Sequence, residues 1–158
     1  MIKKILVPLD GSKIAECTLP YVEEIAARMA VDEVALVSVT ERVEGFRPID
    51  DPSLPLGELL VPEAVGKMDT QAKKYLSRIA KDLEAKGVKK VTTEVLMGKP
   101  AEEIIIYART KGCDLIIISS HGKGGPSRWM HGGVADKIFR SVCPPIMMVR
   151  APGCCPEA

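Results

Sequence analysis

Residues 115–141, LIIISSHGKGGPSRWMHGGVADKIFRS, contain a predicted strand, a glycine-rich loop and a predicted helix in direct succession. The aliphatic run at 115–118 is typical of a buried strand, and residues 134–141 have the pattern of a helix. The loop between them, residues 119–133, holds five glycines, one lysine, one arginine and two histidines, with no acidic residue. Glycines let a backbone approach a ligand closely, and unpaired amides at a helix N-terminus favour an anion. The arrangement therefore predicts a phosphate-binding loop.

The loop does not match the two best-known phosphate-binding patterns. It is neither G-x-G-x-x-G, the dinucleotide fingerprint, nor G-x-x-x-x-G-K-[ST], the P-loop. Glycine-rich loops between a strand and a helix also occur on protein surfaces that bind nothing. The loop alone leaves both interpretations open, and the rest of the chain has to decide between them.

Aliphatic runs and helical spacing alternate along the rest of the chain. The aliphatic runs predict five strands, at residues 3–9, 33–39, 90–96, 114–119 and 146–149. Three- and four-residue spacing of apolar side chains predicts four helices, at residues 13–29, 65–86, 101–110 and 134–141. Pro20 lies inside the first helical pattern and marks either a kink or a late first turn. Residues 41–62 contain four prolines and two glycines, and they predict a long loop.

The alternation of strands and helices predicts an α/β fold with a doubly wound parallel sheet. The third strand alternates enough in polarity to indicate a sheet edge. Ligands in such folds bind at the carboxyl ends of strands, where the strand order reverses. Only the loops that begin at Asp10 and Ser119 carry residues suited to phosphate chemistry. If the first and fourth strands are neighbours, these two loops line one crevice.

The composition indicates a single domain with a full hydrophobic core. Of the 158 residues, 46% are hydrophobic, and 22 basic against 21 acidic residues give a net charge of +1. No overall field therefore recruits nucleic acid or an anionic membrane. No apolar run reaches membrane-spanning length and no signal peptide is recognisable, so we expect a cytoplasmic protein. We expect residues 1–150 to form the domain and residues 151–158 to form a flexible tail.

Three stretches of the chain together resemble the universal stress protein family. They are ILVPLDGS at 5–12, MGKPAEEI at 97–104, and the segment 119–150, in which S-H-G-K and G-x-V-A-[DE]-K-[IV] fall in register. The resemblance extends over residues 2–150. It implies a five-stranded parallel sheet of order 3-2-1-4-5 with a Rossmann-like adenine-nucleotide site. It also implies a homodimer formed through the last strand, Ile146 to Val149.

Members of this family that bind ATP usually carry the pattern G-x2-G-x9-G-[ST]. The matching residues here are Ser119, Gly122, Gly132 and Gly133, so the spacing is intact while the first and last positions depart. Serine at position 119 would cost energy if the backbone there needs a positive φ. Gly133 lacks a hydroxyl donor but keeps its backbone amide. We expect this departure to weaken phosphate binding by about 1 to 2 kcal/mol without abolishing it.

The resemblance implies that an adenine nucleotide lies at the carboxyl ends of the first and fourth strands. Asp10 is expected to face the ribose or a divalent ion carried by the nucleotide, unless it serves as the N-cap of the helix that follows. The backbone of Val39 is expected to meet the adenine edge. The expected contact residues are Pro8, Leu9, Asp10, Val39, Ile118, Ser119, His121, Gly122, Gly132, Gly133, Val134 and Ala135.

The expected ligand is ATP, or else AMP or ADP, accompanied by Mg²⁺ or Mn²⁺. The sequence offers no apparent nucleophile–base pair, so hydrolysis is expected to be slow or to need a partner. The implied function is that of a regulatory stress-response protein. The alternative is a protein-interaction module of the same fold that has lost its nucleotide and contacts partners through residues 41–62 and Trp129.

Overall fold

The structure is a computed structural model that describes residues 1–40, 57–120 and 133–150, with side chains described from residue 68 onward in the second range. It contains five strands, β1 (Lys4–Pro8), β2 (Glu33–Thr40), β3 (Val91–Met97), β4 (Leu115–Ser119) and β5 (Ile146–Val149). Four helices connect them, α1 (Leu19–Arg28), α2 (Gly57–Ala85), α3 (Pro100–Thr110) and α4 (Val134–Ser141).

The strands form one parallel sheet in the order β3-β2-β1-β4-β5. This confirms the predicted doubly wound α/β fold and the position of β3 at an edge. In the centre, β1 pairs with β2 on one side, with Ile5 opposite Val34, and with β4 on the other, with Leu6 opposite Ile116. The strand order therefore reverses at β1, and the carboxyl ends of β1 and β4 are neighbours.

Helices cover both faces of the sheet and make two hydrophobic cores. On one face, Ile5 and Val7 of β1 belong to a buried cluster with Leu76 and Ile79 of α2. On the other face, Leu6 belongs to a cluster whose helical members include Ile104 of α3 and Ile138 of α4. Successive residues of a strand point to opposite faces, so strands buried on both sides read as continuous aliphatic runs.

The first helical segment begins later than predicted. Residues Ala15–Thr18 form a short 3-10 turn, and α1 begins only at Leu19. Pro20 therefore falls in the first turn of α1, where its missing amide hydrogen breaks no helical hydrogen bond. Of the two interpretations of Pro20, the late first turn is correct.

The helix α2 begins at Gly57, eight residues ahead of its predicted start. The predicted loop at 41–62 is therefore wrong over its last six residues, and its remainder, 41–56, lies outside the described residues. Pro62 is one of the four prolines that indicate a loop, but good helix formers precede it, among them Glu58, Leu59 and Leu60. At the other end the predicted stop is confirmed, because Gly87 has φ 94° and its amide donates to the Glu84 carbonyl at 3.0 Å.

Candidate functional site

A cleft of about 1050 Å³ opens at the carboxyl end of the sheet. Its floor is made by the last residues of β1, β2 and β4 and by the residues that follow β1 and β4. The helix α2 walls one side, and α3 and α4 wall the other. This is the place where a doubly wound sheet accommodates a ligand, because the loops on either side of the reversal in strand order diverge there.

The cleft brings together nine of the twelve residues that the sequence singles out. They come from four separate stretches of the chain, and they are Pro8, Leu9, Asp10, Val39, Ile118, Ser119, Gly133, Val134 and Ala135. The other three, His121, Gly122 and Gly132, lie outside the described residues, as does Trp129. The convergence follows from the pairing of β1 with β4, since residues more than 100 positions apart leave the sheet side by side.

Asp10 forms the turn that leads from β1 into the first helical segment. Its Oδ1 accepts hydrogen bonds from the Ser12 amide at 2.9 Å and from the Ser12 hydroxyl at 2.6 Å. The Ser12 Oγ in turn accepts at 3.1 Å from the amide of Ala15, the first residue of the 3-10 turn. The N-cap position of that turn is Ile14, so Asp10 does not take the capping role. Gly11, between Asp10 and Ser12, has φ 82°, a conformation that suits glycine.

The departure at Ser119 places no strain on the backbone. Ser119 is the last residue of β4 and is buried, and Ala30 is the one non-glycine residue in the described ranges with a positive φ. Serine is thus accommodated as an ordinary strand residue. The expected energetic penalty, which depended on a positive φ, does not arise.

Gly133 stands immediately before α4 and has φ −60° and ψ 168°. Any residue adopts this conformation, and nothing lies within 4 Å of the point where a Cβ would be. Glycine is therefore not required here by the backbone or by packing. It leaves α4 without a side-chain N-cap, because the hydroxyl that a serine would supply is absent.

The first turn of α4 also carries an acidic side chain. Asp136 lines the cleft within the first turn of that helix, and its Oδ2 lies 3.0 Å from Nε of Arg140, one turn later. A carboxylate at a helix N-terminus interacts favourably with the dipole, and it opposes a second anion nearby. The pairing with Arg140 offsets part of that opposition.

The helix α2 contributes cleft residues that sequence reasoning missed. Met68, Gln71, Ala72 and Tyr75 line its wall, and Phe139, Ile146 and Met148 extend the cleft towards the β5 edge. Met68 and Ala72 do belong to the apolar stripe of α2, and this stripe was the available signal. The C-terminal part of the stripe packs in the core, whereas Met68 and Ala72 face the cleft.

Tyr75 has an unusual environment for a polar group. Its hydroxyl oxygen is buried beside the Glu16 carboxylate. Burial raises the pKa of Tyr75, and the negative charges of Glu16 and Asp10 raise it further, so the phenol stays protonated. Arg78 lies 5.6 Å from the centre of the tyrosine ring and pairs with Glu16 Oε1 at 2.9 Å. This pair fixes α2 against the 3-10 turn.

The described residues offer no ready-made metal centre. No group of three His, Cys, Asp or Glu side chains in those ranges is arranged to hold a metal ion. Asp10 contributes a single carboxylate to the cleft at the end of β1. An ion held there would therefore need further ligands from a bound molecule. Within the same ranges, no helix is both long and apolar enough to cross a membrane.

Comparison with known proteins identifies relatives over nearly the full chain. The sequence profile of the Universal stress protein family matches residues 1–150. Universal stress protein MJ0577 from Methanocaldococcus jannaschii is 34% identical over 158 residues, which cover 95% of this chain and 96% of its own. The solved structure of MJ0577 superposes with a TM-score of 0.80 over 97% of this chain and 99% of its own, at 30% identity.

Two more distant solved structures share the fold at 15% identity. One is a universal stress protein in complex with cAMP, with a TM-score of 0.69 over 95% of this chain and 98% of its own. The other is a universal stress protein family protein from Arabidopsis thaliana with AMP bound, with a TM-score of 0.62 over 96% and 93%. Since the family profile and MJ0577 both match almost the whole chain, this protein belongs to the universal stress protein family.

Proposed function

We propose that the cleft binds an adenine nucleotide, with ATP as the first candidate, and that the protein acts as a nucleotide-responsive regulator in stress. The observation that carries this proposal is the convergence of residues from the β1 end, the β4 end and the start of α4 on one cleft. Solved relatives hold AMP and cAMP, which supports the adenine class. The cleft volume of about 1050 Å³ is at the upper end of the range for small-molecule sites, roughly 300–1,000 Å³.

The distribution of polar and apolar groups suits the parts of a nucleotide. Val39 and Ile118 line the cleft with apolar side chains, which fits a flat base. Asp10 offers a carboxylate to ribose hydroxyls. The amides at the start of α4, from Gly133 to Ala135, would donate to phosphate oxygens. Mg²⁺ or Mn²⁺ would bind together with the phosphates. The Asp10 carboxylate would be the protein ligand for the ion, because these ions prefer oxygen ligands.

Calorimetric titration with ATP, with and without Mg²⁺, tests the proposal directly. We expect measurable heat and a rise in melting temperature, because a ligand of the folded state stabilises it by mass action. GTP serves as the control for base selectivity, and AMP and cAMP show how much the terminal phosphates contribute. Absence of heat and of a thermal shift at millimolar ATP would instead favour the protein-interaction module.

Two variants localise the binding. Gly133→Phe places a bulky side chain where the cleft is open and where the backbone conformation tolerates any residue, so it should block ATP without unfolding the protein. Ile106→Ala is the matched control, since Ile106 lies on α3 with 53% of its side chain exposed and does not line the cleft. Equal ATP affinity in the two variants would show that the phosphates do not bind at the start of α4.

We further propose that β5 pairs with a second copy of the chain. Among the residues that the structure describes, β5 is an edge strand with no partner on its outer side, and exposed apolar side chains lie near it, notably Phe139 at 63% and Met148 at 38% exposure. Bare apolar edges are a liability that a two-fold partner removes. Sedimentation at micromolar concentration should give twice the chain mass of 17.1 kDa, and a monodisperse species at the chain mass would refute the dimer.

A further inference from the structure

Ser38 is a buried polar residue in a stretch of β2 that is otherwise aliphatic, residues 34–39. Only 6% of its surface is exposed, and it lines the cleft. No hydrogen bond joins its hydroxyl to another residue in the part of the chain that the structure describes. Burying a hydroxyl without a partner destabilises a folded protein, so such a group calls for an explanation. Because Ser38 lines the cleft, a molecule bound there can supply the partner.

The neighbours of Ser38 on the same face of the sheet are apolar. The Leu9 amide donates to the Val37 carbonyl at 2.8 Å, which places Leu9 beside Ser38. On the other side, Val95 of β3 pairs with Ser38. Successive strand residues point to opposite faces, so the Ser38 side chain points to the same side as Leu36, towards α2. The hydroxyl therefore lies in an apolar row that runs across three strands.

The α2 wall of the cleft is apolar on the same side of the sheet. Met68 and Ala72 line it there. An apolar site that contains one hydroxyl suits an aromatic heterocycle, because the faces of the ring are apolar and its edge carries polar nitrogen atoms. In sites of this kind the apolar residues supply contact area and the few polar groups fix the orientation of the ligand.

The strand order indicates which part of a nucleotide would meet Ser38. The proposed phosphate contacts lie at the start of α4, which follows β4, and the proposed ribose contact, Asp10, follows β1. In the sheet, β1 lies between β4 and β2, and neighbouring strands are about 4.8 Å apart. A nucleotide that runs from β4 across β1 therefore extends to the end of β2, and its base would lie there.

We propose that the Ser38 hydroxyl forms a hydrogen bond with a nitrogen atom at the edge of the nucleotide's base, on the α2 side of the cleft. This inference rests on the proposed nucleotide function and adds to it a side chain that orients the base. A hydroxyl can donate to a ring nitrogen or accept from an exocyclic amino group, and adenine carries both. The bound base thereby satisfies a polar group that the described part of the fold leaves unpaired.

Ser38→Ala tests the inference because it removes one oxygen and keeps the Cβ. Calorimetry measures the binding of ATP and of four analogues that each lack one edge nitrogen, namely 1-deaza-ATP, 3-deaza-ATP, 7-deaza-ATP and purine riboside triphosphate. We expect Ser38→Ala to bind ATP roughly three- to tenfold more weakly, the range for one modest hydrogen bond. We also expect it to lose the discrimination of the natural protein against one of the four analogues and to keep it against the others.

Ser77→Ala is the matched control, since Ser77 is exposed on α2 and does not line the cleft. It should leave the affinity for ATP and for every analogue unchanged. Unchanged ATP affinity in Ser38→Ala would overturn the inference. Weakening by the same factor for ATP and all four analogues would overturn it as well, because no nitrogen of the base would then depend on the hydroxyl.

The thermal stability of ligand-free Ser38→Ala provides a second readout. Removing an unpaired buried hydroxyl should leave the melting temperature unchanged or raise it, so affinity should fall without a loss of stability. A lower melting temperature would show that the hydroxyl is bonded within the protein, and the inference would be wrong. If the natural protein itself bound no ATP, the proposed function would be what fails.

Discussion

The Ser12 hydroxyl lies 2.6 Å from Asp10 Oδ1, and the same Ser12 oxygen accepts the Ala15 amide. One carboxylate thus orders the turn that follows β1, connects through Ser12 to the first residue of the 3-10 turn, and lines the cleft. The structural role of Asp10 and its proposed binding role are therefore linked, and they can be separated only by substitutions that keep one and remove the other.

Asp10→Asn should separate the two roles. Asparagine keeps an acceptor oxygen for Ser12 but removes the charge, so we expect little loss of stability and a clear loss of affinity for ATP. Asp10→Ala removes the acceptor too, and should additionally lower the free energy of unfolding by about 1 kcal/mol. Urea unfolding and calorimetry on both variants make the comparison. Full ATP affinity in Asp10→Asn would show that the carboxylate charge has no part in binding.

Gly133→Ser should strengthen both α4 and the site. Serine fits the φ of −60° there and supplies the N-cap oxygen that α4 lacks, for a gain of a few tenths of a kcal/mol, on the order of 0.3. Its hydroxyl can also donate to phosphate and tighten ATP by at most about tenfold. Gly133→Ala is the control because it adds the Cβ without the hydroxyl. If alanine tightened ATP as much as serine does, the hydroxyl would not be the cause.

Ala30→Gly should stabilise the protein without touching the cleft. Ala30 has φ 49° just after the end of α1, a left-handed conformation that is unfavourable for a residue with a Cβ. Relief of that strain, less the greater unfolded-state freedom of glycine, should raise the free energy of unfolding by about 0.5 to 1 kcal/mol. Chemical denaturation measures it, and Ala30→Val should shift stability the opposite way.

Glu33 should make the stability of the fold depend on acid. Hydrogen bonds from Lys4 and Lys90 lower the pKa of Glu33 from its ordinary 4.5 to about 2, against the opposing effect of burial. Because the folded-state pKa is the lower one, this stabilisation is fully present above pH 4.5. It is lost progressively as the pH falls from 4.5 towards 2.

Glu33→Gln should accordingly be less stable than the natural protein at pH 7, by on the order of 1 to 2 kcal/mol after allowance for solvent screening. The difference should shrink as the pH falls towards 2. Glu24→Gln is a matched control, since Glu24 pairs with Arg28 while 57% of its side chain is exposed, against 19% for Glu33. Urea unfolding at pH 7, 4.5 and 3 gives the comparison, and parallel pH profiles for Glu33→Gln and the natural protein would contradict the assignment.

Local patterns in the sequence were sufficient for the fold wherever local forces decide it. The aliphatic runs around Ile5 and Ile116 identified central strands, since strands buried on both faces need apolar side chains at every position. The predicted start of α2 was wrong because a count of prolines and glycines ignores the helix propensity of the residues around them. The 3-10 turn at Ala15–Thr18 escaped prediction because its tighter hydrogen bonding leaves no distinct periodicity.

The sequence by itself determined the alternation of strands and helices, the family, and nine of the residues that line the cleft, because each of these follows from short-range pattern or shared motif. Only the tertiary structure decided that the upper part of α2 faces the cleft and that the Tyr75 hydroxyl lies buried beside Glu16 of the 3-10 turn. The angle at which a helix crosses a sheet depends on packing across the whole face, and no periodicity within the helix records where the core ends and the cleft begins.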